Sequence, residues 1–161
     1  MKKNQNLSKY LSDLHSSDLK LRHAAEDAFT ALGQIAVGSL VQFLQEEKEG
    51  EPKWYAARAL ARVGEPAVGA LLDLLHTDSR DEVRRYAAAA LAEMKNPAIA
   101  EIISLLGESD PRLRRYGMLI LCRIGAPAVE ALKTASQDNN GMLGQCAQYT
   151  LLHIGIQPRQ E

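Results

Sequence analysis

Residues 55–75 read YAARALARVGEPAVGALLDLL, and the phrase at their centre, Gly64-Glu65-Pro66-Ala67-Val68, returns along the chain at a fixed interval. Gly33, Gly64, Gly125 and Gly155 hold its first slot, with Lys95 in the third copy, so successive copies are spaced by 31, 31, 30 and 30 residues. Two positions later stand Ile35, Pro66, Pro97 and Pro127, followed by Ala36-Val37, Ala67-Val68, Ala98-Ile99 and Ala128-Val129. Self-similarity at a period of this length marks a solenoid or array, whose units cannot bury their apolar faces alone and must stack.

Each unit reads as a helical hairpin. Upstream of Gly64, Pro52, Tyr55, Ala56, Ala59, Leu60 and Val63 follow the i, i+3, i+4, i+7 spacing of one apolar helix stripe. Gly64 supplies the left-handed residue that ends this A helix, and Pro66 sits early in the next, where its missing N–H costs nothing. The B helix turns Val68, Leu71, Leu72 and Leu75 inward before His76-Thr77-Asp78 breaks the pattern. Asp18 and Asp110 are expected to cap A helices, and Asp110-Pro111 is a strong helix start. Leu21, Val83, Leu113 and Leu143 share one slot, with Pro52 as the exception, and Phe29, Leu60, Leu91, Leu121 and Leu151 share another.

The fold expected is all-α, a right-handed solenoid of about five hairpins forming a single domain over residues 1–161. A lone B-type capping helix covers 7–15, through Leu7, Tyr10, Leu11 and Leu14. Repeats span about 18–48, 49–78, 79–108, 109–138 and 139–156, the last truncated after its A helix, with residues 1–6 and 157–161 frayed. Lys133, Ala135 and Ser136, where the second repeat has Leu72, Leu74 and Leu75, predict a weaker fourth B helix.

The string Val83-Arg84-Arg85-Tyr86-Ala87-Ala88, the Ala90-Leu91 pair and the Gly-x-Pro-Ala-Val of residues 125–129 resemble the short HEAT-like repeats of the phycobilin-lyase type. The match runs over about residues 18–155. The Thr-Pro-Leu-His and Trp-Leu-Gly-Tyr signatures of ankyrin and tetratricopeptide repeats, whose periods are close, are absent. The resemblance implies a superhelix with B helices on the concave side. It implies little about activity, because such repeats serve scaffolds, chromophore-lyase subunits, a hydroxylase and a DNA-repair group.

Composition narrows the function classes. Of 161 residues, 46% are hydrophobic, 5% aromatic and 24% charged, and the formal net charge is −1, so no global field draws nucleic acid or an anionic membrane. Cys122 and Cys146 lack metal-ligand spacing and read as free thiols of a reducing compartment, with a disulfide as the alternative. No apolar run approaches the roughly 20 residues of a membrane span, and Met1-Lys2-Lys3 leads into polar residues, so a cytoplasmic protein is expected.

Catalytic signatures are missing. The hydroxylase that this repeat type resembles binds iron through adjacent His-Glu pairs, whereas His15, His23, His76 and His153 are followed by Ser16, Ala24, Thr77 and Ile154. No nucleophile elbow, phosphate loop or zinc signature appears. The expectation is therefore no enzyme, no cofactor and no metal.

Binding is the remaining class, and a protein partner of unknown identity is expected. The concave B-helix line holds Ser39, Gln42, Asp73, Glu101, Ser104 and Thr134, a small, mildly acidic face that would repel phosphates, so nucleic acid is not the expected partner. Along its border run His23, Trp54, Arg85 and Arg115. Trp and Arg are enriched at binding hot spots, so Trp54 and Arg85 are the expected anchors, the alternative being a snorkelling edge. Arg22, Lys53, Arg84 and Arg114 recur in one slot and are expected to bridge to acidic or carbonyl groups of a neighbouring repeat. On the outward A-helix face, Leu119, Tyr149 and Leu152, with Met118 and Cys122, form an apolar set read as a second interface or a weak self-association surface. The expected function is a non-catalytic interaction scaffold. The alternative is an accessory subunit or chaperone of the phycobilin-lyase type in tetrapyrrole-protein maturation.

Overall fold

A glycine-dependent turn sets the geometry of each hairpin. In the computed structural model, which describes residues 2–138 and 141–155, Gly33, Gly64 and Gly125 have φ of 55°, 78° and 70°. Their ψ values of −129°, −138° and −129° place them outside the left-handed helical well expected for Gly64, in a region that side chains with a Cβ avoid still more strongly. The turn takes a single residue, so the B helix starts at once.

The first unit, Met1–Asn96, contains α1 (Lys2–Asp13), α2 (Leu19–Leu32), α3 (Gln34–Glu46), α4 (Gly50–Val63), α5 (Glu65–Thr77) and α6 (Asp81–Glu93). The A helices stack in order, α2 on α4 and α4 on α6, while the B helices α3 and α5 stack beside them. The second unit, Pro97–Glu161, contains α7 (Ile99–Ser104) with a 3-10 turn at Leu105–Gly107, then α8 (Pro111–Ile124). A further 3-10 turn (Ala126–Ala128) leads into α9 (Val129–Ala135), and α10 (Met142–Gly155) ends the described chain. Here α8 packs on α10 and α7 on α9. Both units are built from stacked helical hairpins, and the fold is the all-α solenoid class.

The division falls where the phrase departs from glycine. Lys95 does not adopt the positive φ of its counterparts. Helix α6 ends earlier, Met94 is extended at φ −62° and ψ 137°, and residues 94–98 make the connection that elsewhere takes one glycine.

Packing follows the repeat slots. Phe29, Leu60, Leu91 and Leu121 are fully buried at their shared position. One turn away, Ala25, Ala56, Ala87, Gly117 and Ala147 fill a slot of buried small residues, which lets neighbouring helices approach closely. A Cβ at Gly117 would stand 3.0 Å from Leu105 Cβ and 3.1 Å from Leu106 Cδ2. At the front, Tyr10 meets Phe29 edge-on at 5.9 Å, and Leu7 and Leu14 are buried, so α1 covers the first repeat. Asp18 and Asp110 cap α2 and α8, accepting from the N–H of Lys20 and Arg112 at 2.8 Å each.

Three details differ from the sequence reading. Helix α1 begins at Lys2, so the stretch expected to fray is largely helical, whereas 157–161 lie outside the described residues. Leu74, not Leu72, joins Val68, Leu71 and Leu75 in the buried stripe. Leu21 is 43% exposed although Val83 and Leu113 in its slot are buried.

Candidate functional site

The turns from B to A helices are organised by a side-chain acceptor that also repeats. Ser16 Oγ accepts from Asp18 N at 3.1 Å, Glu47 Oε1 from Glu49 N at 2.9 Å, and Asp78 Oδ1 from Arg80 N at 2.9 Å. Glu108 occupies the fourth position of this series. The backbone amides of Glu49 and Lys48, with His15 Nε2 at 2.7 Å, hold Glu47 below the usual carboxylate range. Arg80 grips Asp78 through both oxygens, at 2.9 and 2.7 Å, and Gln45 Nε2 donates to it at 3.0 Å, which holds that carboxyl far below its ordinary value.

The recurring basic slot bridges as expected in three of four copies. Arg22 donates to Ser16 O and to Glu51 of the next repeat, and its guanidinium lies 4.9 Å from the Tyr55 ring. Lys53 Nζ donates to Glu82 of the next repeat at 2.7 Å. Arg114 donates to the carbonyls of Glu108 and Ser109 at 2.6 and 2.8 Å. Arg84 is 7% exposed and its Nε lacks a partner. The slot that supplies Glu51 and Glu82 holds Arg112 in the fourth repeat, so the acid ladder has no further rung.

On the B-helix side of the first unit, Ser39 and Gln42 of α3 line an open groove of about 370 Å³ together with Leu7, Ser8 and Leu11 of α1 and Phe43 and Glu46 of α3. Gln42 Nε2 donates to Glu46 Oε1 at 2.9 Å, one turn along the same wall. Asp73 is exposed on α5. The other members of the expected line lie in the second unit, with Glu101 and Ser104 exposed on α7 and Thr134 exposed on α9. Ser104 Oγ donates to Glu101 O at 2.6 Å and Thr134 Oγ1 to Glu130 O at 3.2 Å, so both hydroxyls are turned onto their own helices.

The edge line is partly built. His23, Trp54 and Arg85 sit on the stacked helices α2, α4 and α6 and are exposed, and Arg115 is exposed on α8. Trp54, 44% exposed, meets Tyr55 edge-on at 4.9 Å and carries the Arg58 guanidinium 4.6 Å from its ring centroid. Beneath Arg58 lies Glu26, which has no exposed surface. Arg58 Nε is 3.2 Å and Arg62 NH1 3.8 Å from its oxygens, but neither oxygen receives an aligned hydrogen bond. Burial pushes the Glu26 carboxyl up against the opposing pull of Arg58 and Arg62. Sequence reasoning missed this residue, because its slot holds Ala57 and Ala88 in the next two repeats.

On the A-helix face of the second unit, Leu119, Tyr149 and Leu152 are 54%, 54% and 63% exposed. Cys122 and Cys146 are free thiols, and burial raises the pKa of Cys122. Among the described residues, no three His, Cys, Asp or Glu side chains gather in an arrangement that could hold a metal ion, and no helix is long and apolar enough to cross a membrane.

No curated protein matches the chain. A chain from the complex of CpcE and CpcF of the phycocyanin lyase of Nostoc sp. is similar in structure, with a TM-score of 0.46 and 18% identity over 91% of this chain and 96% of that one. An engineered protein is similar with a TM-score of 0.38 and 20% identity over 92% of this chain and 79% of the other. The family profile described as HEAT repeats matches residues 37–98 and 68–151. The chain belongs to the HEAT-repeat family.

Proposed function

We propose that this protein is a non-catalytic interaction scaffold that holds a partner protein on its B-helix side. The observation that carries the reading is the groove between α1 and α3. Its floor combines apolar Leu7, Leu11 and Phe43 with the polar rim of Ser8, Ser39, Gln42 and Glu46. Few but well-placed apolar anchors inside a polar rim are the composition of protein interfaces. Asp73 extends the acidic character along the next B helix.

Trp54 and Arg85 serve this reading as border anchors. Each residue of this type contributes on the order of 2 kcal/mol at a hot spot, more than Ser or Thr on the B helices. Once a partner is captured, Asp73→Arg together with Glu101→Arg is expected to weaken binding at least about tenfold with an unchanged circular dichroism spectrum. A silent double substitution removes the B-helix side from the account. Visible absorbance copurifying with the partner would instead favour the tetrapyrrole-maturation alternative.

A further inference from the structure

Four of the eight large exposed apolar side chains among the described residues lie on two neighbouring helices of the second unit. Leu119 on α8 and Met142, Tyr149 and Leu152 on α10 are 48–63% exposed. The two helices pack side by side. The repeat register sets Tyr149 opposite Leu119 and Leu152 opposite Cys122, about 10 Å apart as for neighbouring helices. In the first unit the same slots hold Asp27, Arg58 and Ala89, then Thr30, Ala61 and Ala92, all polar or small. There Arg62 pairs with Asp27 and Arg58 with Glu26, so charges neutralise each other within the face. The apolar composition therefore belongs to the second unit and is not a demand of the repeat.

The charged side chains of these two helices have one sign. Helix α8, PRLRRYGMLILCRI, carries four arginines, and α10, MLGQCAQYTLLHIG, carries His153, while neither helix contains Asp or Glu. Arg114 is committed to backbone carbonyls and Arg112 leans on the cap Asp110 at 3.5 Å. Arg112, Arg115, Leu119 and Cys122 follow i, i+3, i+7, i+10 spacing and so form one stripe along α8. A second copy related by a two-fold axis would press this cationic surface against itself.

We infer that the α8–α10 face docks an amphipathic segment of a partner protein, whose apolar side chains cover Leu119, Tyr149 and Leu152 and whose carboxylates meet Arg112 and Arg115. The site lies on A helices and does not depend on the B-helix reading. The Arg-rich end fixes the direction of the segment, and the apolar end supplies the area removed from water.

The test titrates two fluorescent amphipathic helical peptides into the full chain by anisotropy, both with leucines on one face and with either glutamates or lysines on the other. The glutamate peptide is expected to bind saturably and to weaken as salt is raised. Leu119→Asp and Leu152→Asp, and separately Arg115→Glu, each weaken it at least about tenfold with unchanged circular dichroism, whereas Asp73→Arg leaves it unaffected. Failure of the glutamate peptide to bind, equal binding of the lysine peptide, or silence of Leu119→Asp or Arg115→Glu overturns the inference. A concentration-dependent dimer in sedimentation that Leu119→Asp abolishes assigns the face to a second copy and overturns it as well.

Discussion

Arg58 Nε lies 3.2 Å from Oε1 of Glu26, a carboxylate with no exposed surface, and the same guanidinium rests 4.6 Å from the ring of Trp54. A buried acid on α2 thus positions a cation on α4 against the chain's one tryptophan. Burial is the larger influence on Glu26 and raises its pKa above the ordinary 4.5. A raised folded-state pKa means that the folded protein retains a proton which the unfolded chain releases. The contribution of Glu26 to stability is therefore fully present below 4.5 and is lost as pH rises through the folded value. Urea unfolding of wild type and Glu26→Gln should coincide at the acid end of this window, where both side chains are neutral, and diverge as pH rises, the wild type becoming the less stable, accompanied by a change in Trp54 fluorescence in the wild type alone. A difference independent of pH contradicts the assignment.

Asp78 works in the opposite sense. Its carboxyl is held below the ordinary 3.8 chiefly by Arg80, so the stability it supplies is present above 3.8 and is lost as pH falls toward the folded value. Asp78→Asn should be less stable than wild type at neutral pH and should approach it under acid. Chemical unfolding at the two pH values checks this.

Lys53 and Glu82 tie successive repeats together, but only the lysine is buried: its side chain is 5% exposed and that of Glu82 48%. Glu82→Gln leaves a buried ammonium poorly compensated and is expected to cost about 1 kcal/mol. Lys53→Met, which keeps the stem and removes the charge, should cost less. A double-mutant cycle measures the coupling.

Glycines at two positions should respond with opposite signs. Gly64 has φ 78°, whereas Gly69 lies within α5 with open space around its Cβ position. Gly64→Ala is expected to destabilise by more than about 1 kcal/mol and Gly69→Ala to stabilise by about 0.5 kcal/mol. Thermal denaturation of the two variants decides it.

Much of the fold was legible because the repeat states each position several times. The slot of Phe29, Leu60, Leu91 and Leu121 is apolar in every copy and buried in every copy. The caps Asp18 and Asp110 and the Arg22 and Lys53 bridges were readable for the same reason. Features that occur once were not. Glu26 looks like a surface charge until α4 is laid over it, and Leu21 looks like core by its repeat slot although it is 43% exposed. The acceptor series Ser16, Glu47, Asp78 carried a periodic signal, but its members differ in chemistry and share only a lone pair in reach of the N–H two residues on. Of the candidate site, the sequence supplied the positions of Ser39 and Gln42. The groove depends on where α1 packs, which no local pattern specifies.

Stacked repeats make mostly nearest-neighbour contacts, so damage should stay local. Leu91→Asp places an unpaired charge at a fully buried position of α6 and is expected to cost about 3–5 kcal/mol. Hydrogen exchange should show α6 and its neighbours α4 and α5 losing protection while α1 retains it. Uniform loss throughout the first unit would contradict a stacked-repeat architecture.

A partner seated in the groove between α1 and α3 is within reach of site-specific photo-cross-linking. A photoreactive side chain is placed in turn at Gln42, at Asp73 and at the exposed A-helix position Ala31, and each protein is irradiated in extract of its source cells. One common adduct is expected from Gln42 and Asp73, absent from Ala31 and lost when Ser39→Arg fills the groove. An adduct from Ala31 alone, or one from Gln42 that survives Ser39→Arg, would contradict it.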